Sequence, residues 1–194
     1  MSGTISPAFG TARRTQLFDD LVRLFLAEGF ARLTLDDIAA RLHCSKSTLY
    51  TLAGSKDQLV RAATVHFFRG ATATVEGKVA QVSGARQRII AYLSAVGDAL
   101  DAASDQFMAD LDDCDPAREV YESNTRIAAR RVQELIGDGV AAGDFRDVHA
   151  AFAADIAAAT MVRIQQGRVR ASTGLDDARA YYELAAILTA GISA

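Results

Sequence analysis

Between residues 34 and 56 the chain gathers side chains suited to holding a polyanion. Thr34, Ser45, Lys46, Ser47, Thr48, Tyr50 and Lys56 all carry hydrogen-bond donors; two are cations and one is a phenol. Their spacing follows helix punctuation. Thr34-Leu35-Asp36-Asp37 is a variant of the capping box, with Thr34 as N-cap and Asp37 three residues on. Ser45 caps a second short helix, and Ser55-Lys56-Asp57-Gln58 opens a third. Each helix start presents N–H groups without intrahelical partners, which suit phosphate oxygens.

These residues need two short helices joined by a tight turn. Ile38, Ala39 and Leu42 supply the apolar stripe of the first helix, and Leu49 points inward from the second. His43-Cys44-Ser45 is the turn. This is helix-turn-helix spacing, and its exposed second helix fits a major groove ~12 Å wide. Lys46, Ser47, Thr48 and Tyr50 face outward in that arrangement. Spacing alone leaves a plain corner between two packed helices as the alternative.

The stretch LFLAEGFARLTLDDIAARLHCSKSTLYTLAGSKDQLV (Leu24–Val60) resembles the DNA-binding domain of the TetR family of bacterial transcriptional regulators. Leu24, Phe25, Gly29, Phe30, Thr34, Ile38, Ala39, Ser45, Thr48, Tyr50, Ser55 and Lys56 stand in register with the family pattern. The segment ELIGDGVAAGDFRDVHAAFAA resembles the family's entry into its dimerisation helices. The resemblance implies a homodimeric, all-helical regulator that binds a near-palindromic double-stranded DNA operator and is released from it by a small-molecule effector. It assigns operator phosphates to Thr34, Tyr50 and Lys56, and base edges to Lys46, Ser47 and Thr48. Arg13 and Arg14 would reach the DNA backbone or an adjacent minor groove. Three positions depart from the pattern. His43 replaces the turn glycine, and Leu52-Ala53 replaces a His-Phe pair. Leu52 lacks the group with which that His touches phosphate, and Ala53 leaves room that Leu52 or Phe68 would fill.

The flanking sequence sets the frame. The chain has 194 residues, 50% hydrophobic and 23% charged, with a net charge of −3. That excludes a disordered chain and a disulfide scaffold, and no apolar run is long enough to span a bilayer. The first sixteen residues lack the order of a secretory signal, so a cytoplasmic setting is expected. Residues 1–60 sum to +1 and the remainder to −4. Such a chain does not coat nucleic acid with most of its surface, although a local field still serves DNA binding. Two prolines and many Ala and Leu predict an all-α fold. The expected division is an arm without regular structure at 1–11, a helix-turn-helix domain at 12–58, and a ligand-binding and dimerisation bundle at 59–194. Helices are expected at about 12–28, 35–42, 46–52, 56–81, 84–103, 104–111, 115–140, 147–169 and 175–192.

Within the bundle, Phe67, Phe68, Tyr92, Phe107, Met108 and Tyr121 are expected in the core, some of them lining an effector pocket. Arg69, Arg88 or Arg126 turned inward would point to an anionic ligand. The Ala-rich last helices place Phe152, Ala157, Met161, Ile164, Tyr181, Leu184 and Leu188 at a contact between two chains, with packing inside one chain as the alternative. His43-Cys44 lacks a second ligand pair and reads as structural rather than metal-binding. Asp110, Asp112, Asp113, Cys114 and Asp115 read as a solvated loop and helix cap. His66 and His149 have no catalytic neighbours. No nucleotide loop, nucleophile elbow or zinc signature occurs, so neither an enzyme, nor a cofactor, nor a metal site is expected. The alternative function is a helical ligand-binding protein that has lost operator binding.

Overall fold

A computed structural model of the chain describes the backbone of residues 7–146 and 148–192, with side chains from residue 12 onward. Among these residues there are ten α-helices. They are α1 (Pro7–Glu28), α2 (Leu35–Arg41), α3 (Lys46–Leu52), α4 (Lys56–Ala80), α5 (Ala85–Asp101), α6 (Asp105–Asp113), α7 (Asp115–Ala141), α8 (Ala150–Gln165), α9 (Arg168–Thr173) and α10 (Asp177–Ile192). The all-α expectation holds. The expected arm at 1–11 is corrected in part: α1 already begins at Pro7, and residues 1–6 lie outside the described residues. A proline fits a helix's first turn because its missing N–H has no intrahelical acceptor there.

The chain forms two compact units. One takes the described residues up to Phe68 together with Ala103–Val120; the other takes Arg69–Ala102 and Tyr121 onward. Phe68 is followed without a break by the second half of α4, so the first unit runs ten residues past the expected boundary at 58 and takes in α6.

In the first unit, α1 ends where glycine predicts. Gly29 is left-handed (φ +75), and its N–H donates to Phe25 O at 2.8 Å. The Phe30 ring then folds back onto Phe25, with centroids 5.4 Å apart. Leu21, Phe25, Phe30, Ile38, Leu49 and Leu59 form the centre of this unit and are almost wholly buried. Each contributes about 1.5–3 kcal/mol relative to an exposed side chain. Ser104 caps α6 by accepting from Phe107 N–H at 3.2 Å.

In the second unit, α10 packs along α5 and α8. The approach to α5 is close: a Cβ built on Gly97 would stand 2.8 Å from the Tyr182 ring and 3.0 Å from Ala178 O. The expected helix at 147–169 is shorter in the structure. Asp147 lies outside the described residues; α8 has His149 as N-cap and ends at Gln165, where Gly167 turns left-handed (φ +66). The last helix opens at Asp177, two residues later than expected.

Candidate nucleic-acid interface

The first short helix is fixed by its cap. Thr34 Oγ1 accepts the Asp37 N–H at 3.2 Å, and the Asp37 carboxylate accepts from Thr34 N–H at 2.8 Å and Thr34 Oγ1 at 2.6 Å. Those two bonds hold the Asp37 carboxyl below the usual carboxylate range. The turn is closed by Leu42 N–H to Ile38 O (3.0 Å) and Cys44 N–H to Ala39 O (2.9 Å). His43 takes the left-handed conformation (φ +49) that glycine would adopt with less strain. Ser45 caps α3, accepting from Thr48 N–H at 3.1 Å, and its hydroxyl also lies 2.7 Å from that of Ser47 and 2.8 Å from that of Thr48.

Helix α3 then sorts its side chains by period. Leu49 is buried and locks the helix to the body. Lys46, Ser47 and Tyr50 are exposed, and Thr48 is half-buried. Tyr50, 50% exposed, is among the few large apolar-bodied side chains left open to solvent. An amphipathic phenol in that position suits a wet polar surface better than a core. The Lys46 ammonium does not stand free: it pairs with Asp36 at 2.9 Å, and the pairing raises its pKa.

The arginines of α1 join this surface. Arg14 donates to Thr51 O at 3.3 Å and lies 5.8 Å above the Phe18 ring. Arg13, Arg14, His43, Thr48, Thr51 and Leu52 line one open cleft of about 470 Å³. Basic groups from α1 and hydroxyls from α3 therefore share one concavity, and Leu52 contributes part of its wall. Lys56 sits at the opposite end of the motif. Its ammonium donates to Ala31 O at 2.8 Å, and two of its three hydrogens remain for another acceptor. Ser55 accepts the Gln58 N–H at 3.2 Å, completing the cap that starts α4.

Sequence reasoning missed two members of this region. Asp36 was read only as part of a cap, and its grip on Lys46 crosses the turn. Asp110 was read as solvated, but it is buried (4% exposed) and binds the loop after α1. Its one local partner, Gln106, does not mark it, because the two backbone N–H groups it binds lie about eighty residues away. The rest of the acidic cluster behaves as expected: Asp112, Asp113 and Asp115 are exposed, and Arg118 pairs with Asp115. Cys44 and Cys114 are free thiols, and burial pushes the Cys44 thiol up. No grouping of three or more His, Cys, Asp or Glu able to hold a metal occurs among the described residues. Among the described residues no helix is long and apolar enough to cross a membrane.

The bundle residues fall as follows. Phe68 and Phe107 are buried in the first unit, where Phe67 packs against both, at 4.9 and 6.0 Å between centroids; Met108 is half-buried. Tyr92 and Tyr121 are buried in the second unit, where Tyr121 donates to Asp177 at 3.2 Å. Arg69, Arg88 and Arg126 are exposed, so none is the inward cation that would mark an anionic ligand. The residues expected between two chains, with packing inside one chain as the alternative, divide by burial. Ala157, Met161, Ile164, Tyr181, Leu184 and Leu188 are all buried within their own chain; only Phe152 is exposed. The large apolar side chains actually left open on these helices are Phe152 and Ile156 on α8 and Ile187 on α10.

Residues 17–63 match the family model for bacterial regulatory proteins of the tetR family. The chain carries a TetR-family regulatory domain. No curated protein matches it by sequence. Solved TetR-type folds do match over nearly the whole chain. A transcriptional regulator from Saccharomonospora viridis, solved with choline, is 17% identical, covers 95% of this chain and 99% of its own, and has a TM-score of 0.71. A TetR-family regulator from Cytophaga hutchinsonii is 19% identical over 98% of both chains, with a TM-score of 0.70. A TetR/AcrR-family regulator from Thermobifida fusca is 22% identical, covering 93% of this chain and 98% of its own, with a TM-score of 0.63. Residues 17–63, which hold the helix-turn-helix, thus match the family's regulatory domain, and the chain as a whole shares the fold of these regulators.

Proposed function

We propose that the chain is a homodimeric repressor that reads a near-palindromic operator and leaves it when a small molecule binds, acting in the cytoplasm. One observation carries the reading: α3 is anchored by buried Leu49 while Lys46, Ser47 and Tyr50 point to solvent, beside a cleft lined by Arg13 and Arg14. Thr34, Tyr50 and Lys56 hold phosphates, and Ser45 sets the α3 N-terminus toward the backbone. Lys46, Ser47 and Thr48 face base edges. Two such helices must lie ~34–36 Å apart, one turn of B-DNA, and a two-fold dimer supplies that spacing. The dimer forms through Phe152, Ile156 and Ile187, whose exposure is otherwise costly. The effector site is assigned to the bundle, with Tyr92 and Tyr121 as its candidate aromatic groups. The fold solved with choline supports a small-molecule role without naming this chain's ligand.

The test is operator selection from random duplexes, followed by anisotropy titrations at several salt concentrations. Tyr50→Phe and Lys56→Ala weaken binding to every sequence, and Lys56→Ala lowers the salt slope by about one. Lys46→Ala and Thr48→Ala change sequence preference. Unchanged affinity in all four variants refutes the reading. A second reading, a ligand-binding protein without operator binding, draws on Leu52 and Ala53; failure to select any duplex would favour it.

A further inference from the structure

The search for unused buried groups ends at Asp110. This aspartate sits on α6 and is 4% exposed. A buried carboxylate is costly unless its oxygens are satisfied. Here they are satisfied by neutral donors. Oδ2 accepts the N–H groups of Phe30 and of Ala31, the latter at 2.7 Å, and Oδ1 accepts from Gln106 Nε2 at 2.7 Å. The two backbone donors are successive and follow left-handed Gly29, so they form a small anion-binding concavity. The protein fills that concavity with its own carboxylate. Gly29 leaves space for it: a Cβ there would lie 2.5 Å from Asp110 Oδ2 and 2.7 Å from Gln106 Cγ.

The same loop is held from its other side. Ala31 donates its N–H to Asp110 and accepts the Lys56 ammonium at its carbonyl, 2.8 Å away. Three residues later comes Thr34, the cap of α2. Two more contacts tie α6 to the end of α1. Ser104 N–H donates to Leu26 O at 2.8 Å, and the Phe107 ring meets Phe30 edge-on at 5.9 Å. We propose that Asp110 is a positioning residue for operator binding: its carboxylate sets the loop 29–33, and the loop sets Thr34 and the Lys56 ammonium. The proposal rests on the DNA reading above. It makes α6 a working part of the reading head.

The test uses the full chain with Asp110→Ala and Asp110→Asn, and the duplex that wild type selects. Asp110→Ala loses about ten-fold in affinity, the scale of charge-assisted bonds removed from a loop that carries two contacts. Its salt slope falls by about one, because Lys56 is no longer held in place. Asp110→Asn keeps an acceptor oxygen for the two N–H groups and recovers most of the affinity and the slope. A loss of folded protein alone would lower the active fraction and leave the slope unchanged, so affinity that falls at constant slope overturns the proposal. So does an Asn variant as weak as the Ala variant. Amide hydrogen exchange separates this proposal from the DNA reading. Faster exchange at Phe30 and Ala31 in Asp110→Ala, with α1 and α4 still protected, is expected whether or not wild type selects a duplex. Unchanged exchange at those two amides overturns the latch; a wild type that selects no duplex overturns the DNA reading and, with it, the role in operator binding.

Discussion

Replacing Ile187 by alanine should dissociate the dimer while leaving the protomer folded. Ile187 on α10 is 70% exposed, the most open large apolar side chain described. Full burial of an isoleucine side chain is worth ~1.5–3 kcal/mol, so burying this one in an interface contributes roughly 1–2 kcal/mol per chain. A two-fold contact counts it twice, ~2–4 kcal/mol per dimer, or about 30- to 1,000-fold in dimer Kd. Ile187→Asp adds an unpaired charge and should be worse. Sedimentation velocity over a wide range of protein concentration reads the shift directly. Far-UV circular dichroism of the variant should match wild type, since the side chain leaves no cavity inside its own chain. Met161→Ala is the contrasting control. Met161 is wholly buried within its chain, so its truncation should cost about 2–5 kcal/mol of folding stability. An Ile187→Asp chain that dimerises as tightly as wild type refutes the assigned interface, as does a wild type that stays monomeric at high concentration.

Three further outcomes follow from single contacts. Asp36→Asn should tighten operator binding about two- to five-fold, because it frees the Lys46 ammonium from its 2.9 Å partner; anisotropy at low salt shows it, and weaker binding refutes it. Gly29→Ala should cost about 2–4 kcal/mol in urea unfolding, through the positive φ and the displaced Asp110 carboxylate; a loss under ~1 kcal/mol contradicts the close approach. Asp98 is held below the usual carboxylate range first by Lys78 and then by the Tyr182 hydroxyl at 2.7 Å. A depressed folded pKa stabilises above the unfolded value near 4 and loses that contribution as pH falls through the folded one. Tyr182→Phe should therefore be less stable than wild type at neutral pH, with the gap closing below about pH 4; a gap independent of pH from 3 to 7 contradicts this account.

What the sequence revealed depended on the range of the interaction. The Thr34 box, the Ser45 cap and the left-handed Gly29 each act across three or four residues, so their residue types announce them. The family resemblance added the rest of the motif; of the departures from it, His43 sits in the left-handed turn and Leu52 lines the open cleft. Contacts that cross the fold left no such trace. Asp36 reaches Lys46 over the turn, and Asp110 reaches Phe30 from eighty residues away; an aspartate beside other aspartates looks solvated until its partners are known.

The last helices were ambiguous for a different reason. Along α8 and α10 most positions are Ala or another apolar residue, so the inner and outer faces contrast little in the sequence. Periodicity identifies a face only by contrast with its opposite. Met161 and Tyr181 are expected at a contact between two chains, with packing inside one chain as the alternative; both are buried in their own chain, and alanine on both faces gives no signal to choose between the two readings. Helix α3 escapes this ambiguity because its two sides contrast: Lys46, Ser47 and Tyr50 are exposed on one and the apolar anchor, Leu49, is buried on the other. On the proposed dimer, a bundle that meets a second copy of itself on one face and its own core on the other has apolar partners on both sides. The packed coordinates show only which side is open: Phe152, Ile156 and Ile187 are exposed, while Met161 and Tyr181 are buried.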